Sequence, residues 1–291
     1  MSEHSRWDAS SLGQPSVWMT GQVCSREQRR GRYLPESLAH PGKMLPSIAR
    51  YLISTYTDPG DWVCDPMAGI GTTLVEAVHL GRHGVGVEYE PRWARLAAAN
   101  VRHARAQGAT GRGEVITGDA RQLPALLPVQ LRGRISLVVT SPPYGASTHG
   151  HVRTPGPRRG KVRKVDHRYG ADADNLAHVT HAELAEGFTR ILTGAAAVLR
   201  PGGLVAVTAR PYRHHGELID IPGMVAAAGT GAGLHLWEEC RALLAGVRDG
   251  RLVPRASFFQ LKNIRDARAH GDPQWLVQHE DVLLFIAGGA A

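Results

Sequence analysis

The 291 residues carry 34 Lys and Arg against 26 Asp and Glu, a formal charge of +8, with 43 % hydrophobic and 21 % charged residues. That balance excludes a disordered polyelectrolyte and predicts a folded core, in one large domain or two ordinary ones. Cys24, Cys64 and Cys240 are too few and too scattered for a disulfide framework or a Cys-rich zinc site, and the longest uncharged stretch, 221–237, is broken by Pro222 and four glycines, which excludes a membrane span.

Residues 1–40 mix Ser, Gln, Arg and Gly without a sustained hydrophobic period and read as an N-terminal arm, leaving 41–291 as a single domain. Its first residues hold no apolar run of the kind a signal peptide needs, so a cytoplasmic protein is expected. Leu45, Ile48, Ala49, Leu52 and Ile53 recur at helical spacing and predict a helix over 45–56, closed by the turn Asp58-Pro59-Gly60. Residues 62–64 read as a short strand ending in Asp65, and a glycine-containing loop leads into a helix over 72–80. A second strand, 84–87, ends in Glu88 and precedes an Ala-rich helix over 92–105. A third, 114–117, precedes Asp119, and a fourth, 135–140, runs directly into Ser141-Pro142-Pro143-Tyr144. A helix over 182–199, a strand over 204–208 and final strands over 234–245 and 281–286 complete the pattern. The alternation predicts a mostly parallel sheet with helices on both faces, because parallel neighbours require crossovers. Such sheets bind ligands beyond the carboxyl ends of their strands, where the strand order reverses. Asp65, Glu88, Asp119 and Ser141 all fall at those ends.

The segment Asp65-Pro66-Met67-Ala68-Gly69-Ile70-Gly71-Thr72-Thr73 supplies a tight turn in which glycines admit close approach of backbone to a ligand. A Gly-rich turn also serves packing, and a nicotinamide or nucleotide site competes with other readings; no P-loop motif is present. Glu88, 23 residues after Asp65, stands where a carboxylate accepts ribose hydroxyls. Asp119, followed by Ala120, is placed to accept from an adenine amino group. Three acids at adjacent strand ends suit a nucleoside bearing an amino-acid tail.

The corner Ser141-Pro142-Pro143-Tyr144 has a chemical purpose if the target is an exocyclic amino group on a base. That nitrogen is a poor nucleophile because its lone pair is delocalised into the ring. Hydrogen bonds from its two protons to Ser141 Oγ and the Pro142 carbonyl favour pyramidal geometry, and Tyr144 can stack on the base. A base inside a duplex cannot reach such a pocket unless it is flipped out.

Together these segments resemble the S-adenosylmethionine-dependent amino-methyltransferases of DNA, which make N4-methylcytosine or N6-methyladenine. His40-Pro41-Gly42-Lys43-Met44 resembles the family segment lining the methionine side of the cofactor, with His40 and Lys43 as its polar members, and residues 279–285 resemble its closing strand. The resemblance covers about residues 40–145 and 180–287. It implies a class I methyltransferase-like, Rossmann-like α/β fold with a seven-stranded sheet, S-adenosylmethionine as cofactor, no metal, and a bacterial or archaeal host in which partner restriction or defence proteins are compatible. The Ser form of the corner favours cytosine N4 over adenine N6. Met67 departs from the phenylalanine often found there. Only 22 residues separate Asp119 from Ser141, so no target-recognition domain fits between them.

Only four of the 34 cations are lysines, an Arg-rich composition that GC-rich coding also produces, so placement matters more than the total. Arg153, Arg158, Arg159, Lys161, Arg163, Lys164 and Arg168 face a single Asp166 within 145–170, which puts three quarters of the net charge in one segment. Without a hydrophobic period it reads as a long loop, placed to hold phosphates beside a flipped base. A polar, basic segment over 246–278 is a second candidate contact. His149, His151 and His167 match no metal-ligand spacing. Two other functions stand beside the DNA enzyme: an RNA amino-methyltransferase acting on tRNA or rRNA, for instance at guanine N2, and an inactive nucleic-acid-binding protein.

Overall fold

A computed structural model describes residues 15–143, 151–153, 163–165, 175–176, 179–214, 217–256 and 258–288. In chain order the elements are β1 (Val17–Trp18), α1 (Ser25–Arg29), α2 (Pro46–Tyr56), β2 (Trp62–Asp65), α3 (Thr72–His79), β3 (His83–Glu88), α4 (Pro91–Ala106), β4 (Gly113–Thr117), α5 (Leu123–Leu126) and β5 (Ile135–Thr140). Then come β6 (His151–Arg153), β7 (Arg163–Val165), α6 (His181–Val198), β8 (Leu199–Ala209), β9 (Tyr212–His214), β10 (Glu217–Ile219), α7 (Ile221–Gly231), β11 (Leu234–Leu243), β12 (Gly246–Arg248), β13 (Arg251–Val253), α8 (Phe258–Ala269) and β14 (His279–Ala287).

The main sheet has the order β4-β3-β2-β5-β8-β14-β11-β1. From β4 to β8 neighbouring strands are parallel, and β14 lies antiparallel to both β8 and β11. The sheet therefore has eight strands where seven were expected. The extra one is β1, parallel to β11 with Trp18 opposite Ala242. It comes from the segment read as an arm, whose period is absent because its contacts are long-range. Trp18 stacks on Tyr51 at 4.3 Å, and Thr20 Oγ1 donates to the Leu243 carbonyl at 2.8 Å.

All six residues of β5 are buried, as a parallel strand covered on both faces requires. Alternation sorts them: Val138 joins the core layer of Val85, Phe188, Val207 and Phe285, while Leu137 and Val139 join the layer of Ile48, Leu52, Val63 and Leu284 on the opposite face. Helix starts carry local signals. Pro46 and Pro91 begin α2 and α4, and α6 opens on a capping box in which Thr180 and Glu183 satisfy each other's backbone N–H groups.

Residues 221–231, noted from the sequence only as uncharged, form α7, with the Asp220 side chain accepting from Gly223 N at 2.9 Å. The polar segment 246–278 contains the β12–β13 hairpin and α8. The basic segment also corrects the expectation of a plain loop: β6 and β7 pair antiparallel, with His151 opposite Val165 and Arg153 opposite Arg163. No helix among the described residues is long and apolar enough to cross a membrane.

The connectivity creates one switch point. From β2 the chain moves outward through β3 and β4, then returns to β5 on the other side of β2. The crevice between the carboxyl ends of β2 and β5 is where a ligand binds in sheets of this kind.

Candidate active site

A cavity of about 400 Å³ opens at that crevice. Its walls include His40, Lys43, Asp65, Pro66, Met67, Ala68, Gly69, Thr72, Glu88, Asp119, Ala120, Ser141, Pro142 and Pro143, so nearly all the separated sequence candidates converge on one space. Gly71 and Thr73 stand behind the wall. Tyr144 lies outside the described residues, as do Arg158, Arg159, Lys161 and Arg168. Arg153, Arg163 and Lys164 are placed by backbone alone, on β6 and β7.

The glycine turn is shaped by backbone geometry. Gly69 and Gly71 adopt φ of +53° and +79°, the left-handed region that side chains resist. A Cβ on Gly69 would stand 3.2 Å from the His40 ring, and one on Gly71 would stand 3.1 Å from Ala97 Cβ. Behind the turn, the buried Asn100 of α4 donates to the Ile70 carbonyl and to Ser37 Oγ, each at 2.9 Å, and accepts from Leu34 N at 2.9 Å. Glu76 of α3 is fully buried and accepts from Arg32 at 2.8 and 2.7 Å and from the Tyr33 hydroxyl at 2.7 Å. The segment before residue 40 thus braces the loop and the helix that follows it.

Asp65 spends its carboxylate on structure. It accepts from Met67 N at 3.0 Å, Thr73 Oγ1 at 2.7 Å and Thr140 Oγ1 at 3.1 Å. Burial still pushes it up to about 6. Glu88 accepts from Gly69 N at 2.7 Å and Glu90 N at 2.9 Å, and burial pushes it up to about 7. Both carboxyls sit near the point of ionisation at neutral pH, where a ligand that donates hydrogen bonds favours the charged form. Asp119 is more committed: Arg121 donates to it through its backbone N–H at 2.9 Å and its guanidinium at 2.8 Å. An incoming amino group therefore shares that carboxylate with Arg121. Lys43 donates to the His40 carbonyl, and burial, aided by Arg29, pushes it down to about 8.

Several lining residues had no mark in the sequence reading. Asn175 donates to Glu90 at 2.7 Å, joining the chain that follows the Ser-Pro-Pro corner to the loop after β3. Tyr212 is hydrogen-bonded through its hydroxyl to His181 Nε2 at 2.9 Å. Arg210 and Glu280 face the cavity from the ends of β8 and β14. Only Glu280 lay inside a recognised segment; the others gain their positions from strand pairing. Among the described residues no group of His, Cys, Asp and Glu is arranged to hold a metal.

Parts of this chain are similar to known proteins. Residues 3–99 match the model of a family described as DNA methylase, of the N6/N4 type. Over 114 residues the chain is 36 % identical to a tRNA (guanine(10)-N2)-dimethyltransferase of Methanothermobacter thermautotrophicus, covering 38 % of this chain and 31 % of that one. Over 85 residues it is 29 % identical to the type II methyltransferase M.MjaII of Methanocaldococcus jannaschii, covering 29 % and 16 %. The matched stretches thus span about a third or less of these relatives' own length. Among solved structures, TrmN from Thermus thermophilus superposes with a TM-score of 0.52 at 18 % identity, over 89 % of this chain and 53 % of that one. The fold is that of the class I methyltransferases.

Proposed function

We propose that this chain transfers a methyl group from S-adenosylmethionine to an exocyclic amino group of a base in DNA, with N4 of cytosine preferred to N6 of adenine. The observation that carries the reading is the meeting of the glycine turn, the Asp65 and Glu88 carboxyls and the Ser141-Pro142-Pro143 corner in one cavity at the switch point of the sheet.

The residues present fit the cofactor. The Gly69 cradle leaves room for a ligand that a Cβ would crowd, Glu88 offers a nearly buried carboxylate to vicinal hydroxyls, and Lys43 offers a cation to a carboxylate tail. A cavity of about 400 Å³ lies within the usual range for small ligands. Bound there, S-adenosylmethionine supplies a methyl group on a sulfonium centre. The chain's own contribution is positioning and electrostatics, which carry most of the rate in such in-line transfers. Ser141 Oγ and the Pro142 carbonyl accept the two amino hydrogens and concentrate the lone pair on nitrogen. Tyr144, next in sequence, is assigned to stack on the base. The basic segment that follows this corner in sequence, with Arg153, Arg163 and Lys164 on the paired strands β6 and β7, is assigned to phosphates.

The similarity to a tRNA guanine-N2 enzyme over 114 residues supports RNA as a second reading. Labelled methyl transfer with DNA, tRNA and rRNA offered side by side tests the choice. The DNA reading expects DNA to be labelled and Ser141→Ala to abolish the labelling; label confined to RNA overturns it.

A further inference from the structure

Glu280 belongs to neither the glycine turn nor the Ser-Pro-Pro corner, yet it lines the same cavity. The register that sets Asp281 opposite Ala209 puts Glu280 across from Arg210, just past the end of β8, and β8 runs parallel to β5 with Thr140 opposite Val207. In the sheet order β3 lies two strands from β5 on one side and β14 two strands away on the other, about 10 Å each at the usual spacing. The acids of the cavity are therefore divided: Asp65, Glu88, Glu90 and Asp119 lie on the side of the glycine turn, and Glu280 lies beyond the Ser141 corner, where a target base must sit.

We propose that Glu280 reads the ring nitrogen beside the reacting amino group, hydrogen-bonding N3 of the target cytosine, while Arg210 and Tyr212 wall that end of the cavity. This rests on the function proposed above and adds a contact to the target base itself. Cytosine N4 and adenine N6 each stand beside one ring acceptor, N3 and N1, whereas guanine N2 stands between the N1–H donor and the N3 acceptor. A neutral carboxyl matches a ring acceptor, and an ionised one would match guanine N1–H instead. Burial favours the neutral form of Glu280 against the pull of Arg210 and a hydrogen bond with the Thr208 side chain. The other charged groups acting on it are His279 and Asp281 on the same strand, Asp281 being paired with Arg241 of β11 at 2.8 Å. A hydrogen bond to N3 draws electron density away from the amino nitrogen, so Glu280 acts on binding and discrimination, not on nucleophilicity.

The test is a cycle between residue and base, using DNA with a target cytosine or 3-deazacytosine, which keeps the amino group and lacks the N3 acceptor. Wild-type protein should lose about tenfold to a hundredfold in kcat/KM and in DNA affinity on 3-deazacytosine, the usual consequence of leaving a buried polar group unpaired. Glu280→Leu should lose a similar factor on cytosine, chiefly in KM, and nothing further on 3-deazacytosine. Glu280→Gln, whose amide also donates, should stay within about threefold of wild type on cytosine and keep the discrimination. Cofactor affinity and thermal midpoint, equal in all three proteins, separate this effect from misfolding. Full discrimination retained by Glu280→Leu, or none shown by wild type, overturns the assignment while leaving cytosine methylation intact. No methylation of cytosine by wild type overturns the function proposed above, and this contact with it.

Discussion

The Thr140 hydroxyl donates to the Asp65 carboxylate at 3.1 Å, tying the last residue of β5 to the last residue of β2 across the crevice. The strand that delivers Ser141 is thereby coupled to the strand that delivers the glycine turn. Thr140→Val keeps the shape of the buried side chain and removes the donor. Hydrogen bonds to charged groups contribute about 1.5–3 kcal/mol. Cofactor affinity should therefore fall by roughly tenfold or more, as read by calorimetry. An unchanged affinity would show that the two strand ends act independently.

The glycine turn is a matter of backbone conformation and space together. Gly69→Ala places a side chain in left-handed backbone, which costs roughly 1–2 kcal/mol, and sets its Cβ 3.2 Å from His40. Cofactor binding should weaken at least tenfold while the fold persists, because the strain is confined to one turn. Calorimetry alongside a thermal melt separates the two effects; a lowered melting temperature with no change in affinity would assign Gly69 to folding alone.

Burial sets a pH dependence whose sign differs between folding and binding. Asp65 is raised to about 6 and Glu88 to about 7, from 3.8 and 4.5. Between their unfolded and folded values the native state holds protons that the unfolded chain has released, so stability falls as pH rises through that window and levels off above about 7. Cofactor hydroxyls require an ionised acceptor, so affinity runs the other way, rising from about pH 6 to 8 with proton release. Lys43, lowered to about 8, closes the window from the alkaline side as it loses its charge. Titration calorimetry in buffers of different ionisation enthalpy measures the proton release. Glu88→Gln should abolish most of it, and an unaltered release would remove Glu88 from the site.

The agreement between sequence and structure is uneven for physical reasons. β5 was legible to the residue, Ile135–Thr140, because a strand buried on both faces is predominantly apolar and β-branched. The turn after Asp65 was legible because Gly69 and Gly71 adopt left-handed backbone that few residue types tolerate. α7 was hidden because its Gly- and Ala-rich sequence carries no sharp polar face, and β1 because two residues cannot display a period. Arg210, Tyr212 and Asn175 owe their place in the cavity to strand register and to contacts across the fold, which no local pattern encodes.

The basic segment that dominates the net charge contains a paired hairpin. Replacing Arg153, Arg163 and Lys164 with Gln should weaken DNA binding and reduce the slope of log affinity against log salt by about 3. Cofactor affinity should not move, since S-adenosylmethionine carries no phosphate for these cations to hold. Fluorescence anisotropy across a salt series reads the slope, and an identical slope would return the charge to composition.

Nucleoside mass spectrometry of DNA incubated with the protein and isotopically labelled S-adenosylmethionine reads methyl transfer to an exocyclic amino group. Labelled N4-methylcytosine is the product expected of the proposed function, lost in Tyr144→Ala with cofactor binding retained. A digest with no label on any amino group, from DNA or from RNA treated in parallel, would contradict it.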